Sequence, residues 1–165
     1  MTIIRPEKDE DVAVIRDLTA AAFQGKDFSD GTEADCFDRL RKDGDLALSL
    51  VAVDSGRIVG HVAFSPLHVA DRSKGWFGLG PIAVTPDRQR QGIGTQLINA
   101  GLAALERDGA IGFGLIGDPA YYSRFGFIGD CGWTYRKLPP TYVQARRVGR
   151  RAVPRGEIQF SRGLE

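Results

Sequence analysis

Sulfur and imidazole are scarce in this sequence: two cysteines, two histidines and one methionine in 165 residues. Cys36 and Cys131 stand far apart and form no Cys-x-x-Cys pair, and His61 and His68 add no cluster to them. Neither a disulfide framework nor a metal site is therefore expected. Long apolar runs are missing too. Nothing approaches the roughly 20 residues of a membrane span, and the N-terminal "MTIIRPEKDEDV" turns charged where an export signal needs an apolar core. The expectation is a cytoplasmic protein with no membrane partner. Charge of one sign is lacking as well: the formal net charge is +1, so the overall balance selects no partner. The most basic stretch, "QARRVGRR", has no interleaved aromatics and no recognition-helix pattern, so no nucleic-acid partner is expected.

What is present is the composition of an ordinary globular protein, 42% hydrophobic and 26% charged, at a length that suits one domain spanning residues 1–165. "TIIRP" reads as a short strand ended by Pro6. In "EKDEDVAVIRDLTAAAF" the apolar residues Val12, Ile15, Leu18 and Phe23 recur at helical spacing behind an acidic first turn. A second helix is expected over Thr32 to Asp43, stopped by Gly44. "LALSLVAVDSGRIVGHVAFSPLHV" reads as two strands joined at Asp54-Ser55-Gly56, a hairpin composition. "WFGLGPIAV" is a third strand, which Gly78, Gly80 and Pro81 mark for a bulge or a splay from its neighbour. From Gly94 onward Leu97, Ile98, Leu102 and Leu105 share a helical face, ending near Asp108-Gly109. "AIGFGLIG" is another strand, Asp118-Pro119 caps and opens a short helix, and "FGFIGDCGW" resumes β character. The order predicts a mixed α/β domain without internal repeats. Charge is uneven along it: residues 1–56 hold thirteen acids and seven bases, whereas 131–156 hold seven bases and no acid, a contrast read as solvated surface.

The segment "TPDRQRQGIGTQL" places Gly92 and Gly94 just ahead of a helical pattern. Leu97 stands where a dinucleotide fingerprint needs its third glycine, and no lysine follows Gly94 as a P-loop requires. What survives is a glycine-permitted turn whose backbone N–H groups face outward at a helix start, where the aligned peptide dipoles favour an anion.

With the order of elements, "LGPIAVTPDRQRQGIGTQLI" resembles the GNAT superfamily of acyl-CoA N-acyltransferases; "GHVAFSPL", "LGPIAV" and "GDPAYYSRFGF" resemble its YhbS-like branch. The likeness runs to about Gly132. The family signature Q/R-x-x-G-x-G/A is matched by Gln89, Arg90, Gln91, Gly92, Ile93 and Gly94. The resemblance implies a single GNAT-like domain of mixed α/β class, with a central, mostly antiparallel sheet, a splayed or bulged strand and flanking helices. It implies acetyl-CoA as cosubstrate, its pyrophosphate on the N–H groups from Arg90 to Thr95 and its pantetheine arm along Ile82, Ala83 and Val84. The N–H of Ile82 or Val84 would meet the oxyanion. In the family's Y-x-x-x-G-F element, Tyr122 takes the place of the residue that protonates the leaving thiolate, and a phenol with a pKa near 10 suits a thiol of about 8.5. Tyr121 is assigned to packing.

One departure touches the base. Many relatives carry a glutamate on the bulged strand where Gly78 stands here. His61 could substitute through water, but a single histidine in a β run is more often a core residue. Cys36 and Cys131 have no histidine beside them, so an acyl-cysteine route is not expected. The expected partners are acetyl-CoA and a primary amine, small molecule or protein, with a homodimer left open. The acids Asp27, Asp30, Glu33 and Asp35 hint at a cationic acceptor. The rival reading is a non-catalytic acyl-CoA-binding or sensing domain.

Overall fold

A computed structural model describes residues 1–26, 31–70 and 74–164. Asp27 and Asp30 lie outside them. The N-terminal half follows the expected order: β1 (Thr2–Pro6), α1 (Val12–Phe23), α2 (Glu33–Asp43), β2 (Leu48–Asp54) and β3 (Arg57–Val69). Helix α2 stops at Gly44, which takes the left-handed conformation at φ 73° and donates its N–H back to the last turn. Asp54 pairs with Arg57 across a two-residue loop in which Ser55 and Gly56 both have positive φ, 52° and 79°. That is the type I′ turn whose twist matches the flanking strands. Then come β4 (Trp76–Val84), α3 (Ile93–Arg107), β5 (Gly112–Ile116), α4 (Pro119–Tyr122), β6 (Trp133–Thr134), β7 (Val143–Arg147) and β8 (Gly156–Phe160).

Among the described residues these strands form one sheet in the order β1-β2-β3-β4-β5-β7, with β8 pairing the end of β3 and β6 pairing β8. Pairing is antiparallel except between β4 and β5 and between β6 and β8. On one face α3 lays Leu97, Ile98, Leu102 and Leu105 over Val62, Phe64 and Phe113. Each such side chain taken out of water contributes about 1.5–3 kcal/mol. On the other face Ile15 of α1 and Phe37 of α2 cover Val51 and Ala63. Beyond them Trp133 and Ile158 pack with Leu67 and Trp76. There the sheet has no room for side chains: a Cβ at Gly112 would lie 2.2 Å from the Trp76 ring, and one at Gly114 would lie 2.5 Å from Leu67 and 2.6 Å from Trp133.

The last third differs from the sequence reading. "FGFIGDCGW" contains an isolated bridge from Ile128 to Ala145 and ends on the first residue of the two-residue β6 rather than forming a full strand. The basic segment supplies β7, whose Val143, Gln144 and Ala145 are buried ahead of its arginines. Pairing with β5 imposes that strand, which no alternation in "VQARR" announces. Arg146 bonds Glu106 of α3 at 2.5 Å, while Arg147, Arg150 and Arg151 are exposed.

Candidate active site

Strands β4 and β5 pair only at Trp76–Gly112, Phe77–Phe113 and Gly78–Gly114. From Leu79 onward β4 has no strand partner on that side among the described residues, which is the splay that the glycines and proline of "WFGLGPIAV" signal. On the β3 side the register slips, so Gly80 and Pro81 together face Ala63 and form a bulge. Beyond it, the Thr85 N–H donates to the Val59 carbonyl, toward β3. Backbone groups alternate sides along a strand, so Ala83 also turns toward β3 while the N–H groups of Ile82 and Val84 face the gap. The Ala83 side chain packs under Leu18 and Ala22 of α1.

The open edge runs into the loop before α3. Arg90 and Gly92 both take left-handed backbone, at φ 65° and 83°, and such alternation turns successive N–H groups inward into an anion-binding nest. For a non-glycine residue such as Arg90 this conformation is strained. Gly92 is the N-cap of α3 and no side chain caps the helix, so the N–H groups of its first turn, Ile93 to Thr95, remain available. The glutamines brace the loop: Gln89 Nε2 donates to the Val84 carbonyl at 3.0 Å and Gln91 Nε2 to the Asp87 carbonyl at 3.3 Å. A cavity of about 440 Å³ lies over the nest, walled by Val84, the loop from Arg88 to Thr95, Tyr121 and Arg124; Ile82, Ala83 and Gln91 are outside its lining. Arg88 is engaged with Asp54, and Arg57 with Asp87. Arg90 and Arg124 pair with no carboxylate among the described residues, so they bring the free positive charge to the cavity.

The opposite wall is α4. Asp118 accepts from the Ala120 N–H at 2.9 Å and Pro119 occupies the first turn, so the helix starts immediately after β5. Tyr121, which the sequence suggested was packing, reaches the cradle: its hydroxyl sits 3.3 Å from where a Gly94 Cβ would be, with Ile82 and Val84 close by. Arg124 stacks over the Tyr121 ring at 4.6 Å and donates its Nε to the Tyr121 carbonyl at 3.0 Å. The i, i+3 spacing of these two residues on a helix that follows a strand end was the available signal. The Tyr122 ring stands edge-on to that of Tyr121 at 4.9 Å and lies near Phe125, Phe127 and the backbone of Gly117. Burial, reinforced by Tyr121 and Asp118, pushes its phenol up to about 12.

Neither candidate base is in place. A Cβ at Gly78 would lie 3.0 Å from the Phe160 ring, so an aromatic from β8 occupies the space of any carboxylate there. His61 is fully buried, edge-on to Phe37 at 4.5 Å, with Nε2 at 2.6 Å from Ser49 Oγ. Burial holds it neutral down to about 3. Glu7 and Arg41 complete this network, which ties β1, α2, β2 and β3 together. His61 is thus a core residue.

A mixed sheet whose fourth strand parts from its neighbour, with the gap ending on a nest and an uncapped helix start, defines an α/β domain whose open strand edge leads to a cavity lined by outward-facing N–H groups. The chain belongs to the acetyltransferase (GNAT) family, whose sequence profile matches residues 12–127. It is 43% identical over 103 residues to the uncharacterized N-acetyltransferase YhbS of Escherichia coli K12, a match covering 62% of each chain. The aligned stretch is thus under two thirds of that relative's length. A GNAT-family acetyltransferase from Brucella melitensis, solved with acetyl-CoA, superposes with a TM-score of 0.88 at 41% identity over 100% of this chain and 99% of that one. Escherichia coli YhbS, solved with CoA, gives 0.90 at 32% identity over 99% and 91%. No helix among the described residues is long and apolar enough to cross a membrane.

Proposed function

We propose that residues 1–165 act as one acetyl-CoA-dependent N-acetyltransferase domain that moves the acetyl group to a primary amine by direct attack. The observation that carries this reading is the continuity of the open β4 edge with the anion cradle. The N–H groups from Arg90 to Thr95 hold the pyrophosphate, with Arg90 and Arg124 balancing its charge. Ile82 and Val84 offer the pantetheine amides the ladder partners that β5 withholds, and one of their N–H groups faces the developing oxyanion. The thioester supplies the activated acetyl carbon. Complexes of the Brucella melitensis and Escherichia coli relatives with acetyl-CoA and CoA support this choice of donor.

Tyr122 gives its proton to the departing sulfur. Its phenol is neutral at every physiological pH. The burial that raises it raises a thiol in the same site, so the mismatch between the two does not widen. With no side chain at Gly78 and His61 buried, the acceptor enters as the free amine. Its nitrogen forms the amide as the C–S bond breaks, Tyr122 protonates the sulfur, and the proton the nitrogen sheds returns to the Tyr122 phenolate through solvent. The logarithm of kcat/KM should then rise with pH at a slope of about 1 up to the acceptor's own pKa, with no inflection near 6.5 from His61.

The test is a screen of primary amines with acetyl-CoA, read by release of free thiol, followed by Tyr122→Phe with the best acceptor. The ring still packs, so acetyl-CoA affinity should hold while kcat falls about 10²-fold, roughly 3 kcal/mol of transition-state stabilisation. Near wild-type turnover in this variant removes the acid assignment. The missing carboxylate at Gly78 favours a second reading, a non-catalytic acyl-CoA sensor; tight acetyl-CoA binding with no thiol release from any amine would establish it.

A further inference from the structure

Gln144 lies fully buried on β7, opposite Leu115 of β5. Its Nε2 donates at 2.9 Å to the carbonyl of Gly117, where β5 has ended and the chain turns into α4. Its Oε1 is buried with no hydrogen-bond partner among the described residues. As a contribution to the core this is a poor choice, because a leucine would bury similar volume without the unpaired Oε1, and the half-buried Gly117, losing its donor, can turn its carbonyl to water. What the amide does and a leucine cannot do is fix a carbonyl.

Three elements converge on that carbonyl's residue. The Gly117 N–H donates to Tyr142 ahead of β7 at 3.2 Å. Its Cα faces Tyr122 so closely that a Cβ would lie 2.6 Å from ring Cε2. Asp118, next in the chain, caps α4. A shift of Gly117 therefore moves both the floor under the Tyr122 ring and the start of the helix that carries it. We propose that Gln144 is a positioning residue for Tyr122, holding through the Gly117 carbonyl the turn against which the Tyr122 ring rests. This role depends on the proton-donor reading of Tyr122 given above.

The experiment is Gln144→Leu, with Gln144→Met as a second variant that keeps the length and loses the donor. The thermal midpoint should stay level or rise and acetyl-CoA affinity should hold, while kcat drops about 10-fold or more, as displacement of a reacting group does. In a Tyr122→Phe background the same substitution should cost almost nothing more, because two residues acting through one group are not additive. A midpoint well below wild type makes Gln144 structural and overturns the proposal. So does a full additional loss in the Tyr122→Phe background. An impaired Tyr122→Phe beside fully active Gln144 variants removes this role alone, whereas a harmless Tyr122→Phe removes the proton donor and this role with it.

Discussion

A Cβ added at Gly92 would meet nothing within 4 Å, whereas one added at Gly112 would stand 2.2 Å from the ring of Trp76. The cradle and the centre of the sheet are both glycine-rich, for opposite reasons. Gly92 is needed for its backbone, which a side chain would strain at φ 83° although there is space for one. Gly94 leaves room in front of the helix start, where the Tyr121 hydroxyl is 3.3 Å from the missing Cβ. Gly112 and Gly114 have ordinary strand conformations and are required because Trp76 and Trp133 lie directly on the sheet. Glycine at the cradle therefore shapes the backbone that lines an open cavity, and glycine in β5 makes room for the core.

Three substitutions sharpen that contrast. Gly112→Ala drives a methyl group into a buried ring and should cost about 3 kcal/mol or more of stability, a fall of roughly 6–12 °C in thermal midpoint. An unchanged midpoint would show that the tryptophans yield. Gly94→Asp should do the reverse. An acidic side chain at the start of α3 suits the helix dipole and leaves the midpoint near wild type. Acetyl-CoA affinity, followed by calorimetry, should weaken about 100-fold, some 2.7 kcal/mol. Equal affinity would move the pyrophosphate elsewhere. Gly92→Ala is the mildest, about 1 kcal/mol of stability from the left-handed backbone alone. A loss as large as that at Gly112 would mean the loop is more tightly enclosed than its open surroundings indicate.

The residues that were legible in the sequence are those governed by local rules. The hairpin at Ser55-Gly56, the stop of α2 at Gly44, the apolar stripe of α3 and the turn before it all follow from neighbours in the chain. The glycines of "WFGLG" were legible as interruptions, but Gly112 and Gly114 of "AIGFGLIG" were not legible as spaces for an indole, because Trp133 comes from a distant segment. Strand β7 was hidden in a basic run because its partner β5, rather than its own composition, makes it extended. That Tyr121 faces the cradle had one local trace, its i, i+3 spacing with Arg124, but depends on how this segment packs toward Gly94. Gln144 carried no signal at all, since a glutamine between a valine and an alanine becomes informative only when its amide is found against Gly117.

An open sheet has two edges, and proteins guard them because an unpaired strand invites another chain. Here the outer side of β7 is met at Ala145 by the bridge from Ile128. The splay adds a third edge inside the sheet, along the fourth of six strands in order. Central strands are normally where amide protons exchange most slowly with solvent, since their release requires the whole domain to open. Ile82 and Val84 break that rule: their amides belong to the interior by position and to the surface by chemistry. Deuterium should reach them without unfolding, and anything that lies along β4 would announce itself, residue by residue, by keeping it out.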